Sequence, residues 1–154
     1  MARVEAPSVS SPVPVATVSD VGILVHDKSK ADSDPTAMKL VRSTDRIEAC
    51  MGVEFGYRLD LTGLTPGATV TFDKVVSTPP LRKPDGRVTT GYTREFPVEV
   101  PGDGVLVAYE GYGFDYDYEL VPGEWTIEIW MSGKKLASRT FTVVSCPSPP
   151  AEPK

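Results

Sequence analysis

The nine residues Val53-Glu54-Phe55-Gly56-Tyr57-Arg58-Leu59-Asp60-Leu61 alternate without a break. The odd positions are apolar or aromatic, and Glu54, Gly56, Arg58 and Asp60 stand between them. A period of two sends successive side chains to opposite faces of an extended chain, so this is a strand with one buried face. Thr62–Gly67, with Gly63, Pro66 and Gly67, is a turn. The rhythm resumes in Ala68–Val76, where Val70, Phe72 and Val76 share a face.

The same reading extends along the chain. Thr78–Arg87 is a polar loop ending in Pro84-Asp85-Gly86, where proline presets φ and glycine takes the left-handed position. Gly91–Val100 is a strand that Pro97 assigns to an edge or a bulge, because proline has no N–H for a ladder. Pro101–Gly104 turns into Val105–Glu110. Tyr112–Leu120 alternates again and is expected to be extended. Pro122-Gly123 opens Glu124–Met131, with Trp125, Ile127, Ile129 and Met131 on its apolar side. Ser132-Gly133-Lys134 makes a hairpin into Leu136–Val144. Upstream, Val13–Val25 is a strand broken near Ser19-Asp20, Asp27–Thr36 is a polar connection, and Leu40–Ala49 is a second strand.

Short strands with turn signals every 8–12 residues, and no long 3.6-residue period, make this an all-β chain of about seven to nine antiparallel strands. Varied loop lengths and edge-type prolines favour a two-sheet sandwich over a closed barrel. The expected organisation is a flexible N-terminal segment 1–12, one β-sandwich domain 13–144, and a proline-rich flexible tail 145–154.

Composition narrows function without naming it. The 154 residues suit a single domain. Sixteen basic against 21 acidic side chains leave a formal charge of −5. That argues against a nucleic-acid partner held through phosphates and against an anionic membrane surface. No apolar run is long enough to insert into a membrane. One histidine and two cysteines are too few for a structural zinc site or an iron–sulfur cluster. The start of the chain does not read as a signal peptide, so the expected location is cytoplasmic, or periplasmic or secreted if a leader was trimmed. Cys50 and Cys146 read equally well as a bridge or as two unrelated thiols; a bridge would mean an oxidising compartment.

Two constellations stand out. In Phe114-Asp115-Tyr116-Asp117-Tyr118-Glu119-Leu120 an extended backbone would line Asp115, Asp117 and Glu119 on one face, roughly 6–7 Å apart. Such a row suits a solvated strand face, a calcium ion, or an acid–base pair for glycoside hydrolysis. The second is aromatic: seven of the 13 aromatic residues fall between Tyr109 and Trp130. Trp130 lies on the polar side of its strand, where an indole can stack on a sugar or anchor a protein. Tyr112, between Gly111 and Gly113, is expected to project from a flexible tip. His26 is the only imidazole, and no nucleophile motif accompanies it, so it reads as a surface residue near a strand end.

The order of short motifs carries a further signal. Gly52-Val53-Glu54-Phe55-Gly56-Tyr57 leads to Gly63 and Gly67, then Pro80 and Pro84-Asp85-Gly86. Gly111-Tyr112-Gly113-Phe114-Asp115 follows, then Glu119-Leu120-Val121-Pro122-Gly123-Glu124-Trp125-Thr126, and finally Lys135-Leu136-Ala137 and Phe141-Thr142-Val143. From about Val21 to Val144 this resembles a bacterial family known as domain of unknown function 3859. The resemblance implies an immunoglobulin-like all-β sandwich with no assigned activity, and it transfers no functional residues. The combined expectation is a non-catalytic module that binds a protein partner, with edge-strand addition as a natural mode. The alternative is a carbohydrate- or calcium-binding domain, with a small hydrolase third. No other cofactor is expected. The candidate binding residues are Tyr112, Asp115, Asp117, Glu119 and Trp130.

Overall fold

In the computed structural model, which describes residues 14–31, 34 and 37–147, nine strands form two sheets. Strands β1 (Val15–His26), β2 (Met38–Ser43), β4 (Glu54–Thr62) and β7 (Leu106–Gly113) make a four-stranded sheet in the order β2-β1-β4-β7. The other sheet has the order β3-β9-β8-β5-β6, from β3 (Arg46–Ala49), β5 (Thr69–Arg82), β6 (Val88–Glu99), β8 (Gly123–Met131) and β9 (Lys134–Ser145). Neither sheet closes, and all pairings are antiparallel except β3 with β9.

The decisive alternation holds. Phe55, Tyr57, Leu59 and Leu61 of β4 are buried, and face Trp125, Ile127, Ile129 and Met131 of β8, also buried. Each large side chain removed from water contributes about 1.5–3 kcal/mol, so this double row is the main source of cohesion. Phe55 meets Phe114 at 5.4 Å and Phe141 at 5.0 Å between centroids. Tyr57 crosses the core to donate its hydroxyl to the Ile127 carbonyl at 2.9 Å, which satisfies the one polar atom it carries inward. On the opposite face of β4, Gly56 pairs with Gly111 of β7. A Cβ at position 56 would lie 2.1 Å from the Glu110 carbonyl oxygen, so the close approach of β4 and β7 requires glycine.

Several expected boundaries move. The break near Ser19-Asp20 is a bulge, with Asp20 at φ 51° and the register shifting between Ser19 and Gly22. Leu40–Ala49 is two strands in different sheets. Thr44 and Asp45 carry the chain across: Thr44 N–H donates to Val21 of the first sheet, and the Asp45 carbonyl accepts from Thr142 of the second. The first half of the polar loop expected at 78–87 is strand, since β5 runs on to Arg82. A register shift between Ser77 and Leu81 absorbs Pro79 and Pro80, and only the Pro84-Asp85-Gly86 turn remains, closed by Lys83 N–H to the Arg87 carbonyl at 2.8 Å. Pro97 does lie in an edge strand, β6.

The expected segment 1–12 lies outside the described residues, as does the tail beyond Pro147. The start of that tail is not loose, because Ser145 belongs to β9 and Cys146 is bridged to Cys50. The parallel register of β3 and β9 pairs Ala49 with Ser145, so the next residue on each strand is a cysteine, with Cα atoms 5.0 Å apart. No helix among the described residues is long and apolar enough to cross a membrane.

Candidate functional site

Tyr112–Leu120 does not form the expected strand. The ladder between β4 and β7 ends with Phe114, whose N–H donates to Val53 and whose carbonyl accepts from Gly52. Beyond that point the chain must cross to the start of β8 in the other sheet, and no neighbouring strand accompanies it. Residues Asp117–Glu119 instead form one 3₁₀ turn. The alternation is therefore spent in three directions: Phe114 enters the aromatic core, Tyr116 points to solvent, and Glu119 turns inward.

Glu119 is the centre of this loop. It is only 6% exposed, and both carboxylate oxygens have protein partners. Oε1 accepts the backbone N–H groups of Asp115 and Tyr116, each at 2.8 Å, and Oε2 accepts the Tyr112 hydroxyl. Bonds to a carboxylate acceptor are the stronger kind, and here one side chain ties two consecutive backbone N–H groups to the last residues of β7. Asp115 and Asp117 are exposed. The three carboxylates thus do not share a face, and the row expected for calcium or for acid–base chemistry is not formed. Among the described residues no group of three histidine, cysteine, aspartate or glutamate side chains stands together.

Tyr112 does not project from a tip. Its residue lies in β7, its ring packs edge-on to Trp125 at 5.0 Å, and Gly111 and Gly113 are strand residues beside it. Burial and the bond to Glu119 push its hydroxyl pKa well above the usual tyrosine value. The exposed aromatic of the loop is Tyr116, 60% accessible and stacked on Tyr118 with centroids 5.5 Å apart and planes 9° apart. Tyr118 also lines a cavity of about 220 Å³ with Thr78, Lys83, Thr89, Tyr92 and Tyr112. Tyr92 was not legible as a site residue, because β6 joins the loop only through the sheet.

Trp125 is core, as expected, with its indole N–H donating to the Val121 carbonyl at 3.0 Å. Trp130 is half-buried on the outer face of the five-stranded sheet. It donates to Glu128 at 3.2 Å and lies under the Lys135 ammonium, 5.8 Å from the ring centroid. Trp130 is seven residues along β8 from Gly123 at the loop, roughly 23 Å at the rise of a strand. Trp130 and Tyr112 therefore belong to different surfaces. His26 is exposed at the end of β1, opposite Met38.

One further group escaped the sequence pattern. Lys74 of β5 faces inward between Phe72 and Val76, donates to the Gly111 carbonyl at 2.6 Å, and pairs with Glu110 of β7 at 3.6 Å. Burial lowers the pKa of Lys74 and raises that of Glu110, each opposed by the other's charge. A charge at an inward position of an alternating strand was the available signal.

Two open, largely antiparallel sheets packed face to face, with loops gathered at their ends, define an immunoglobulin-like β-sandwich domain. An immunoglobulin-like protein from Pseudomonas aeruginosa has the same fold, with a TM-score of 0.63 and 24% identity, over 83% of this chain and 92% of that one. The chain belongs to the family described as Domain of unknown function (DUF3859), whose model matches residues 12–143. A weaker likeness, with a TM-score of 0.42 and 11% identity over 84% of this chain and 30% of that one, is to the Pseudomonas fluorescens alkylpurine DNA glycosylase AlkC bound to DNA containing an abasic site analog. No curated protein matches.

Proposed function

We propose that this domain is a non-catalytic binding module that engages a protein partner through the tyrosine-bearing loop between β7 and β8. The observation that carries the reading is the Glu119 clamp, which holds the exposed Tyr116, stacked on half-buried Tyr118, in one place between the exposed carboxylates of Asp115 and Asp117. Rigid tyrosines supply contact area at low entropic cost, and they dominate loop-based recognition on sandwiches of this kind. The flanking carboxylates favour a partner surface with basic groups around an apolar patch. The Cys50–Cys146 bridge supports work in an oxidising compartment, such as a periplasm or the cell exterior.

The exposed ring face of Tyr116 also supports a second reading, in which it stacks on a sugar. Calcium is not part of either reading, since the Glu119 oxygens are already occupied by protein donors. Crosslinked affinity capture from the source cells, with wild type and a folded Tyr116→Ala/Tyr118→Ala variant as baits, tests the main reading. A partner held by wild type and lost by the variant is expected. Partners retained equally by both would refute it, and binding to an immobilised glycan set that the variant loses would replace it with the second.

A further inference from the structure

The cavity beside Tyr118 is walled by three aromatic rings, Tyr92, Tyr112 and Tyr118, and Lys83 is the one charged residue lining it. Its hydroxyls are already engaged within the fold: Thr78 donates to the Pro79 carbonyl, Thr89 to the Gly91 carbonyl and Tyr112 to Glu119. What remains on offer is mainly ring surface. The volume of about 220 Å³ is below the roughly 300–1,000 Å³ of a drug-sized ligand site, so the cavity suits one or two side chains of a peptide. Aromatic-lined hollows of this kind take proline-rich segments in the polyproline II conformation, which loses little entropy on docking.

The chain carries such a segment, and it starts at the same end of the sandwich. Pro147, Pro150 and Pro153 recur every three residues, which is one turn of polyproline II, so that conformation puts all three on one face. The segment follows Cys146 at the end of β9. There Val143 of β9 pairs with Gly123 of β8, Gly123 abuts Pro79 of β5, and Ser77 of β5 pairs with Gly91 of β6. The cavity lies over β5 and β6, two to three strands from β9, or roughly 10–14 Å at the spacing of a sheet. Residues 148–154 extend about 22 Å in polyproline II, enough to reach it. Charge agrees as well: Glu152, the one acidic residue of 148–154, stands between Pro150 and Pro153, and Lys83 stands at the cavity. We propose that the tyrosine-walled cavity binds this chain's own proline-rich segment, with Pro150 and Pro153 against Tyr92 and Tyr118 and Glu152 toward Lys83. The proposal does not rest on a protein partner for the loop, and its test contains no other protein.

Solution NMR of the intact chain tests the proposal. Ring protons of Pro150 and Pro153 are expected to show nuclear Overhauser contacts to the rings of Tyr92 and Tyr118, unchanged on dilution. Pro150→Ser/Pro153→Ser removes the contacts and shifts the Tyr92 and Tyr118 ring signals, while the core signals of Phe55 and Trp125 stay in place. A synthetic peptide of residues 148–154, added to that variant, restores the ring shifts saturably. In the same background Tyr92→Ala, at an edge-strand position 42% exposed, abolishes the response at Tyr118. Lys83→Gln weakens the peptide about threefold, the scale of an exposed charge pair. The proposal is overturned if the intact chain shows no proline–tyrosine contact, if its ring signals match those of the proline variant, or if folded Tyr92→Ala binds the peptide unchanged. Contacts that fade on dilution would also overturn it, and would place the segment on a second copy.

Discussion

Replacing Glu119 by alanine removes the one side chain that holds the β7–β8 loop together. Three donors lose their acceptor at once: the N–H groups of Asp115 and Tyr116, and the Tyr112 hydroxyl. A hydrogen bond to a charged group is worth about 1.5–3 kcal/mol. The three do not add, because Asp115 and Tyr116 are exposed and their N–H groups can turn to water once the loop relaxes. The Tyr112 hydroxyl has less freedom, since its ring is wedged against Trp125. The expected loss is therefore about 2–4 kcal/mol, or roughly 6–12 °C in melting temperature for a domain of this size. Glu119→Gln keeps an acceptor for the two N–H groups and loses about half as much. Thermal and urea unfolding of both variants provide the measurement, with Asp117→Ala as the exposed control within about 0.5 kcal/mol of wild type. Amide exchange at Asp115 and Tyr116 should accelerate in Glu119→Ala before any global change. If that variant matches the Asp117→Ala control in stability and exchange, the clamp does not hold the loop, and the rigid-platform argument falls with it.

The Lys74–Glu110 pair gives a second prediction, with a definite pH dependence. Lys74→Met leaves a buried carboxylate without its cation and costs about 3 kcal/mol near neutral pH. Glu110 is already raised in the fold by burial, and losing Lys74 raises it further. A folded carboxyl that binds protons more tightly than the unfolded one loses stability as pH rises through that interval. The Lys74→Met defect should thus shrink as pH is lowered toward 4.5, and Lys74→Met/Glu110→Gln should remove most of it at pH 7. A defect independent of pH would point to lost packing by the lysine stem instead. Cys50→Ser/Cys146→Ser opens a loop with a sequence separation of 96. Chain entropy puts its cost at about 4.5 kcal/mol, read from denaturant midpoints compared with wild type under non-reducing conditions. A change below 1 kcal/mol would mean that the parallel β3–β9 contact alone confines the unfolded chain.

What could be read from residues alone was whatever depends on neighbours along the chain. The alternation of Val53–Leu61 and of Trp125–Met131 named the buried faces of β4 and β8, because a strand's two faces follow from a period of two whatever it packs against. Pro84-Asp85-Gly86 and Pro97 marked a turn and an edge for equally local reasons, in φ and in a missing donor. Phe114–Leu120 shows where that logic stops. Its alternation is as clean as that of β4, but an extended segment needs a strand beside it, and only the crossover from one sheet to the other decides that none is present. Tertiary structure alone turned Glu119 from a ligand candidate into an internal clamp and separated Trp130 from Tyr112. It also set Cys50 opposite Cys146 across 96 residues through the parallel register of β3 and β9. Local rules specify which face of a strand is apolar. Which strands, and therefore which charges, meet across the core is settled by pairing between residues far apart in the chain.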